Sequence, residues 1–495
     1  MVNTLFRRSI KDIAIYFPGK LLPALTAFIT IPIYARIFQP EDYGVLAIIG
    51  VLTSAGAIAI GNWLTTSVMR FLPQYRREEK LGQFYSTLLC AFILSLLVLG
   101  VLIIPLGLIV KGTVSPEVYG LLPLAILLII VNTLLSILQT VLRADQRAKL
   151  FVGFELYNVY GALILGLTFA IALGFGVKGI LLGSLIVTTT AGLGIGWWLL
   201  RHGASIKIST ISGLTLREFA TYGLPGGVAT IGTWILSLSD RYIIEYFQGS
   251  VQVGLYSMGY SLADKSINLV VSSLMLAIGP ILINAWESEH REATPQLLSQ
   301  ITRLTLLLVV PMVVGISVLA KPLFQVLTTE AYLPGASVLP WVGFGALLYA
   351  LSLQAYTGLV VAKKMMAMAR NYLLAGLINV LINIILVPKF GFMAAAVSTA
   401  VAYGVLLALN VFSATKYLPW LFPWRTLRNV LLASGTMALT LGQMRVYVEL
   451  NLLTLLLAVA VGMSIYLLML VITREFVKKE VRELQSMFSS LGIVQ

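Results

Sequence analysis

The sequence predicts an all-α polytopic membrane protein of fourteen transmembrane helices, arranged as two pseudo-symmetric six-helix lobes followed by two C-terminal helices. Three observations lead to this fold: the composition, the alternation of basic residues between loops, and an internal repeat. Of the 495 residues, 59% are hydrophobic and 11% are charged, and the mean hydropathy is +0.94. A soluble globular protein has about 45–50% apolar and about 25% charged residues, so the composition excludes a soluble fold.

Fourteen apolar runs are long enough to cross a bilayer, because a helix needs about 20 apolar residues to span roughly 30 Å of hydrocarbon. Each run ends at a polar or Gly/Pro break. The first follows Arg7, Arg8 and Lys11, but it is too long for the apolar part of a signal peptide, so we predict an uncleaved first helix. The predicted spans are 13–38, 43–69, 82–110, 118–142, 151–173, 179–200, 217–245, 252–283, 301–320, 336–361, 371–388, 392–415, 427–446 and 451–473.

The distribution of basic residues tests this count independently, since Lys and Arg are enriched in cytoplasmic loops. The N-terminus, the even-numbered loops and the C-terminal tail contain 25 of the 34 Lys and Arg residues, whereas the odd-numbered loops contain six. A missed or additional helix would invert this alternation, and it never inverts. We therefore predict cytoplasmic N- and C-termini. The net charge of +14 is then an orientation signal, and we expect no nucleic-acid partner.

An internal repeat predicts the two lobes. An ungapped offset of 215 residues, and a second offset of 209 to 210, each align identical residues at matching helix ends. An even number of spans per copy gives both lobes the same orientation, as in transporters whose substrate site lies between two halves. We predict an N-lobe at 1–200, a C-lobe at 201–416, two further helices at 417–473 and a cytoplasmic tail at 474–495. The matched pairs are Leu138/Leu353, Gln139/Gln354, Lys149/Lys364, Tyr157/Tyr372, Gly161/Gly376, Phe175/Phe390, Gly176/Gly391, Phe38/Phe247, Gln39/Gln248 and Gly44/Gly254.

Ionisable side chains inside the spans are the candidate functional residues, because each costs a few kcal/mol to insert. Asp264 and Lys265 lie near the predicted midplane, and we expect Lys265 to attract an anionic substrate. Lys20 has the alternative of snorkelling to the headgroups, and the candidates near the outer interface have the alternative of being ordinary anchors. The set within the spans is Lys20, Arg36, Asp240, Arg241, Asp264 and Lys265.

Several kinds of site are not expected. The single cysteine, Cys90, lies in an apolar run, and His202 and His290 lie in separate polar connections, so the sequence predicts neither a metal centre nor a cofactor. No GxxxxGK[ST] motif indicates ATP hydrolysis. No extramembrane segment exceeds roughly 25 residues, which leaves no room for a soluble catalytic domain. We therefore expect a transporter and not an enzyme.

Three segments resemble the bacterial polysaccharide-transporter family, the O-antigen-type lipid-linked oligosaccharide flippases of the multidrug/oligosaccharidyl-lipid/polysaccharide exporter superfamily. They are residues 34–46 (YARIFQPEDYGVL), the element formed by Arg70, Phe71 and Pro73, and residues 239–262 (SDRYIIEYFQGSVQVGLYSMGYSL). The resemblance extends over nearly the whole chain. Its motifs are loose and mostly structural.

This resemblance implies a V-shaped bundle in the bacterial inner membrane that alternates between inward-open and outward-open states. Its implied substrate is an undecaprenyl-pyrophosphate-linked oligosaccharide for O-antigen, lipopolysaccharide or exopolysaccharide. Members of the family line a cationic cavity with helices 1, 2, 7 and 8, which here places Lys20, Arg70 and Lys265 at the cavity. The last two helices would offer a groove for the lipid tail. Membrane lipids, a polysaccharide polymerase and chain-length machinery are the implied partners.

Two alternatives stay open at the level of the sequence. A drug/cation antiporter of the same superfamily would usually stop at twelve helices and would use an acidic cavity in its N-terminal half, where we find no mid-span acid. A membrane enzyme of glycan assembly would be expected to present a long catalytic loop. Coupling of transport to a proton or sodium gradient would use Asp264 or Asp240.

Overall fold

The computed structural model describes residues 28–110, 112–287, 291–447 and 451–475, together with Leu22 and Thr26. Within these ranges the regular secondary structure is helical throughout. The helices are α1 (Phe28–Ile37), α2 (Pro40–Arg77), α3 (Leu81–Val110), α4 (Pro116–Ala144), α5 (Ala148–Leu167), α6 (Gly176–Arg201), α7 (Gly213–Leu238), α8 (Asp240–Gln248), α9 (Ser250–Glu287), α10 (Thr294–Val318), α11 (Ala320–Leu327), α12 (Leu339–Ala355), α13 (Thr357–Val361), α14 (Met365–Phe390), α15 (Phe392–Ala414), α16 (Trp424–Tyr447) and α17 (Leu452–Ile472).

Ten helical segments in the described ranges are long and apolar enough to cross a membrane. They confirm a multi-pass, all-helical membrane protein. Three further long helices, α7, α9 and α16, coincide with the predicted spans 217–245, 252–283 and 427–446. Half of the first predicted span, 13–38, lies outside the described residues. The count of fourteen therefore stays a prediction.

The chain groups into two compact units that do not follow the lobe boundaries proposed from the sequence. The first unit contains Met1–Lys265 and Lys364–Ala402, and the second contains Ser266–Lys363 and Tyr403–Gln495. In the first, side chains of α2, α3, α4 and α6 share an apolar core with Phe219 of α7. In the second, α10, α12, α16 and α17 contribute to one core. The lobes at 1–200 and 201–416 remain a prediction from the repeat.

Both copies of the repeat contain a tight turn with the same unusual backbone. Gly176 (φ 52°) and Gly391 (φ 65°), which the 215-residue offset aligns, have positive φ angles between consecutive helices. At the other end of these helices, Gln146 (φ 56°) and Lys363 (φ 57°) match at an offset of 217. Gly174 (φ 69°) matches Gly391 at this same offset of 217, so the two turns have the same spacing in both copies. The π-helical turn Thr168–Ala172 ends two residues before Gly174.

Another aligned pair of glycines, Gly44 of α2 and Gly254 of α9, meets face to face. A Cβ added at Gly44 would overlap the carbonyl oxygen of Ser250, and one added at Gly254 would overlap that of Pro40. Gly44 and Gly254 are 210 residues apart, and so are Pro40 and Ser250, so an offset of 210 exchanges the two contacts and the crossing is symmetric. Only the absence of side chains lets the two backbones approach so closely.

Polar contacts connect α2 to its neighbours at the opposite end, which carries many of the basic residues and is called the basic side below. The Tyr75 hydroxyl lies 2.9 Å from the Thr215 hydroxyl and donates to the Glu218 carboxylate at 2.9 Å. Arg76 forms an ion pair of 2.7 Å with Asp145, just after α4. Burial raises the pKa of Asp145, and the Arg76 guanidinium opposes this rise.

The second unit has its own polar anchor, built around Glu475. Its carboxylate is buried and accepts hydrogen bonds from Arg303 Nε at 2.9 Å, Thr426 Oγ1 at 2.6 Å and Asn429 Nδ2 at 2.8 Å. These donors belong to α10 and α16. The arrangement fixes the chain directly after α17 against both helices.

We expect Gly44→Ala to destabilise the protein by about 1–3 kcal/mol, the usual cost of overpacking, because the new methyl group overlaps a backbone carbonyl that cannot rotate away. Gly50→Ala on the same helix is the matched control, since a Cβ there meets no atom within 4 Å. Thermal unfolding of the purified variants measures the difference. Equal unfolding temperatures for the two variants would contradict the close approach of α2 and α9.

Candidate polar site within the helices

Of the candidate cations predicted from sequence, Arg36 and Arg70 lie exposed in the described structure. Lys20 lies outside the described residues. Arg36 is exposed at the end of α1, and its Nη1 donates to the carbonyl oxygen of Pro32 at 2.9 Å. Arg70 is exposed towards the basic end of α2. A binding role for these three residues stays a prediction.

Asp240 is the centre of a buried polar site. It is the first residue of α8, directly after Ser239, and its side chain is 0% exposed. Oδ2 accepts hydrogen bonds from the Tyr256 hydroxyl at 2.5 Å and from Thr399 Oγ1 at 2.8 Å, and Oδ1 accepts one from Asn383 Nδ2 at 2.9 Å. The three donors come from α9, α15 and α14, so one carboxylate connects four helices.

A second layer of polar groups surrounds these donors. Asn379 Oδ1 accepts from Asn383 Nδ2 at 3.2 Å, and Asn379 Nδ2 donates to Thr399 Oγ1 at 3.3 Å. Ser398 Oγ donates to Asn383 Oδ1. Asn379 and Asn383 are one helical turn apart on α14 and therefore present their amides on the same face. Together with Asp240 and Tyr256, these residues are called the Asp240 network.

Burial makes this network sensitive to the loss of any member. A carboxylate removed from water loses several kcal/mol of hydration, and hydrogen-bond donors must replace it. Three donors act on Asp240. Two of them, Asn383 and Thr399, belong to helices that lie 143 and 159 residues from Asp240 in the sequence. If the carboxylate were absent, the Tyr256 hydroxyl would lose the acceptor to which it donates. Asn383 Nδ2 and Thr399 Oγ1 would keep their second acceptors, Asn379 Oδ1 and the Ala395 carbonyl oxygen.

Arg241, although adjacent to Asp240, has different partners. It is 5% exposed, its guanidinium lies 4.5 Å from the ring centroid of Tyr260 and 5.4 Å from that of Tyr256, and Nη1 donates to the carbonyl oxygen of Ser237 at 3.3 Å. Aromatic faces attract cations electrostatically. Tyr256 therefore contacts both residues, since its hydroxyl donates to Asp240 and its ring faces Arg241.

Asp264 and Lys265 lie further along α9, about 13 Å from Tyr256 at 1.5 Å per residue. Lys265 is exposed and Asp264 is half-buried. Asp264 attracts Lys265 electrostatically, and Arg241 repels it. The structure thus associates four of the predicted candidates through α8 and α9, and the assignment of a substrate to them stays a prediction.

Sequence reasoning missed the neutral members of the network because it considered only ionisable groups. Tyr256, Asn379, Asn383, Ser398 and Thr399 complete the surroundings of Asp240. One signal was available in the sequence: two Asn residues at i and i+4 in an apolar run indicate a polar face that must be satisfied by neighbouring helices. Their partner, however, lies about 140 residues away and has no local signature.

The network has the chemistry of a site for a proton or a small hard cation. Its oxygens come from a carboxylate, three hydroxyls and two amides, and hard cations prefer oxygen ligands. A hydroxyl donates to the carboxylate in one state and offers its lone pairs to a cation in another. In the described ranges, no three His, Cys, Asp or Glu side chains cluster as a metal site. Because the other members of the network are neutral, its negative charge comes from Asp240.

Comparisons with known proteins identify the family. A family model described as polysaccharide biosynthesis protein matches residues 33–337. The chain is 25% identical over 300 residues to the succinoglycan biosynthesis transport protein ExoT of Rhizobium meliloti, an alignment covering 61% of this chain and 58% of that protein. It is 22% identical over 471 residues to the probable low-salt glycan biosynthesis flippase Agl15 of Haloferax volcanii, covering 93% and 94%. The match therefore spans less than two thirds of ExoT.

The fold is similar to that of a solved flippase. The structure of the lipid II flippase MurJ in an inward closed conformation superposes with a TM-score of 0.76 at 16% identity, covering 93% of this chain and 99% of MurJ. At this identity the likeness concerns the fold. It agrees with the all-helical membrane architecture described above.

We expect Tyr256→Phe to lower the free energy of unfolding by about 1–3 kcal/mol, since the change removes a donor to a buried carboxylate and keeps the ring that faces Arg241. Tyr246→Phe is the control, because Tyr246 is on the same short helix α8 as Asp240 and is 58% exposed. Thermal unfolding compares the two. A Tyr256→Phe protein as stable as the control would argue against a buried, charged Asp240.

Proposed function

Because the chain belongs to the polysaccharide biosynthesis protein family, we propose that it is a flippase for lipid-linked oligosaccharide. It translocates an undecaprenyl-pyrophosphate-linked glycan across the bacterial cytoplasmic membrane, with both termini in the cytoplasm, for surface polysaccharide biosynthesis. The observation that carries this proposal is the family match over residues 33–337. The relatives named as a glycan flippase and a succinoglycan transport protein support transport over enzymatic chemistry.

The substrate's diphosphate requires a cationic path, which we assign to Lys20, Arg70 and Lys265. Lys265 is exposed although it lies in the middle of a long apolar helix. A charge in that position is strongly attractive to phosphate where the local dielectric is low. The isoprenoid tail stays in lipid beside the last two helices. A polysaccharide polymerase and chain-length machinery would receive the glycan on the outer side.

Alternating access requires that contacts between the two copies of the repeat separate in turn. Two such contacts flank the midplane: the Gly44/Gly254 crossing near one end of α2, and the bonds from Tyr75 to Thr215 and Glu218 near the other. We propose that the first opens in the outward-facing state and the second in the inward-facing state.

We further infer that a proton or a sodium ion at Asp240 couples transport to a gradient. The carboxylate is bound by residues of three other helices, so a change in its charge changes the packing of all of them. An ion shifts a conformational equilibrium only by its difference in affinity for the two states. The donors around Asp240 provide that difference if helix movement breaks their geometry.

Deletion of the gene tests the function directly. We expect the deletion strain to accumulate lipid-linked glycan in the cytoplasmic leaflet, and the wild-type gene to restore export. Lys265→Ala and Asp264→Asn, expressed at the wild-type level, should restore export less well. If both variants support normal export, the assignment of the substrate path to α9 is wrong. A deletion strain that lacks the lipid-linked glycan altogether would instead indicate an enzyme of its synthesis.

Asp240→Asn tests the coupling ion, because it preserves shape and removes the charge. We expect ion-driven export to fall by roughly 5- to 150-fold, the range of typical coupling energies. In purified wild type, sodium chloride should raise the unfolding temperature above that in choline chloride at equal ionic strength if sodium binds, because a ligand stabilises the state that it binds. Stabilisation by lower pH alone would identify the proton.

The Asp240→Asn protein should show neither response, and Asp264→Asn should retain the wild-type response. A wild-type protein that responds to neither ion, or an Asp240→Asn protein that keeps the wild-type response, would refute coupling at this site. The proposed flippase activity is measured separately by the glycolipid assay, so either idea can fail without the other.

A further inference from the structure

An apolar cavity of about 140 Å³ opens between α3, α4, α6 and the segment that follows α6. It is distant in sequence from the Asp240 network and contains none of its residues. Its walls include Leu89 and Phe92 of α3, Leu138 of α4, Gly196 and Leu200 of α6, and Ile206. The side chains of Leu89, Leu200 and Ile206 are partly exposed at 38%, 55% and 49%, so the cavity is open to its surroundings.

The absence of a side chain at Gly196 contributes to the space. A Cβ added there would meet no atom within 4 Å, although Gly196 lies on a helix packed against α4. A hydrocarbon-lined cavity of roughly 150 Å³ stays dry and accepts apolar molecules. A water molecule therefore forms few hydrogen bonds in this cavity. A lipid acyl chain, in contrast, enters it without losing any hydrogen bond.

On the basic side, two cations lie over aromatic rings of the same end of α6 that contributes to the cavity. The Arg147 guanidinium lies 5.6 Å from the ring centroid of Trp198, and that of Arg201 lies 4.0 Å from the centroid of Trp197. Both tryptophans are on α6 and lie between the cavity residues Gly196 and Leu200 in the sequence. Lys207 follows the cavity residue Ile206 and is fixed by its backbone N–H, which donates to Ser86 Oγ at 2.9 Å. All three cationic side chains are exposed.

These three cations differ from the neighbouring Arg76 in their partners, because Arg76 forms an ion pair with a carboxylate. Arg76 lies beside Tyr85, another wall residue, and is neutralised by Asp145 at 2.7 Å. In the described ranges, no carboxylate lies within ion-pair distance of Arg147, Arg201 or Lys207, although the charge of Arg147 also acts on Asp145. Arg76, Arg147, Arg201 and Lys207 together outnumber Asp145. The rim thus carries net positive charge directly beside an apolar recess, which is complementary to a molecule with an anionic head and a hydrocarbon chain.

We propose that this cavity and its rim bind one anionic diacyl phospholipid from the leaflet on the basic side. One acyl chain lies in the cavity beside Gly196, and the phosphate lies against Arg147, Arg201 and Lys207. Each basic residue near a membrane surface contributes about 1 kcal/mol of attraction for anionic lipid, so three of them distinguish an anionic from a zwitterionic headgroup. Trp197 and Trp198 hold the two guanidinium groups at the depth of the headgroups.

A bound lipid at this place would fasten α3, α4 and α6 to one another. These helices already share the apolar core of the first unit, and the lipid would fill a gap in that packing. It would act as a structural ligand, separate from the transported glycolipid. The proposal does not depend on which substrate the protein transports.

Lipid titration with native mass spectrometry tests the proposal on the purified full-length chain. Phosphatidylglycerol and phosphatidylcholine with identical acyl chains are the probes, and glycerol phosphate is the headgroup control. We expect one phosphatidylglycerol per protein, bound at least about tenfold more tightly than phosphatidylcholine, which corresponds to about 1.4 kcal/mol. Glycerol phosphate alone should not bind, because it has no chain for the cavity.

Two variants separate the cavity from its rim. Gly196→Leu fills the recess and should abolish the tight site, and Arg147→Gln/Arg201→Gln should remove the preference for phosphatidylglycerol. Their controls are Gly153→Leu, where a Cβ also meets nothing within 4 Å on an exposed helix face, and Arg370→Gln/Lys416→Gln, which remove two exposed charges elsewhere. The controls should bind like the wild type. A thermal unfolding curve checks that each variant is folded.

Four outcomes would overturn the proposal. Phosphatidylglycerol and phosphatidylcholine could bind alike, which would indicate ordinary lipid contact. The controls could lose binding as much as the two test variants, which would indicate a nonspecific charge effect. Undecaprenyl phosphate could displace phosphatidylglycerol, which would assign the cavity to the substrate. Finally, a dimer that dissociates with Gly196→Leu would show that a second copy of the chain covers this face.

Discussion

The hydrogen bonding of one buried carboxylate holds together the part of the structure in which the candidate site lies. Asp240 is completely removed from solvent, and its charge is tolerated because Tyr256, Asn383 and Thr399 donate to it from three other helices. In a hydrocarbon environment such groups have no water as an alternative partner. The positions of α8, α9, α14 and α15 relative to one another therefore depend on this set of bonds.

Steric constraints at α2 complement this polar constraint. Gly44 and Gly254 allow α2 and α9 to approach until backbone carbonyls fill the space that side chains would take. Towards the basic side, Ser67 donates to the carbonyl oxygen of Phe219 and Tyr75 bonds to α7. One long helix is thus held by backbone packing near one end and by hydrogen bonds near the other.

The sequence predicted much of the fold and only part of the site. Apolar run lengths placed nearly every described long helix, because a membrane span has a local signature that needs no knowledge of its neighbours. Asp240 and Arg241 were identified because charge is rare in such runs. Asn379, Asn383, Ser398 and Thr399 were not, because neutral polar residues occur in many membrane helices and acquire their role only from a distant partner. Arg36 and Arg70, selected by charge alone, lie exposed in the structure.

By itself the sequence determined the membrane class and the helical elements and predicted the repeat, since each is encoded in composition, run length or spacing along the chain. The tertiary structure alone decided which polar groups satisfy Asp240, that Tyr256 serves both Asp240 and Arg241, and that the aligned glycines meet. Contacts of this kind join residues up to about 210 positions apart. Their selection depends on which helix faces can pack without voids or unpaired polar groups, and no local pattern in the sequence contains that information.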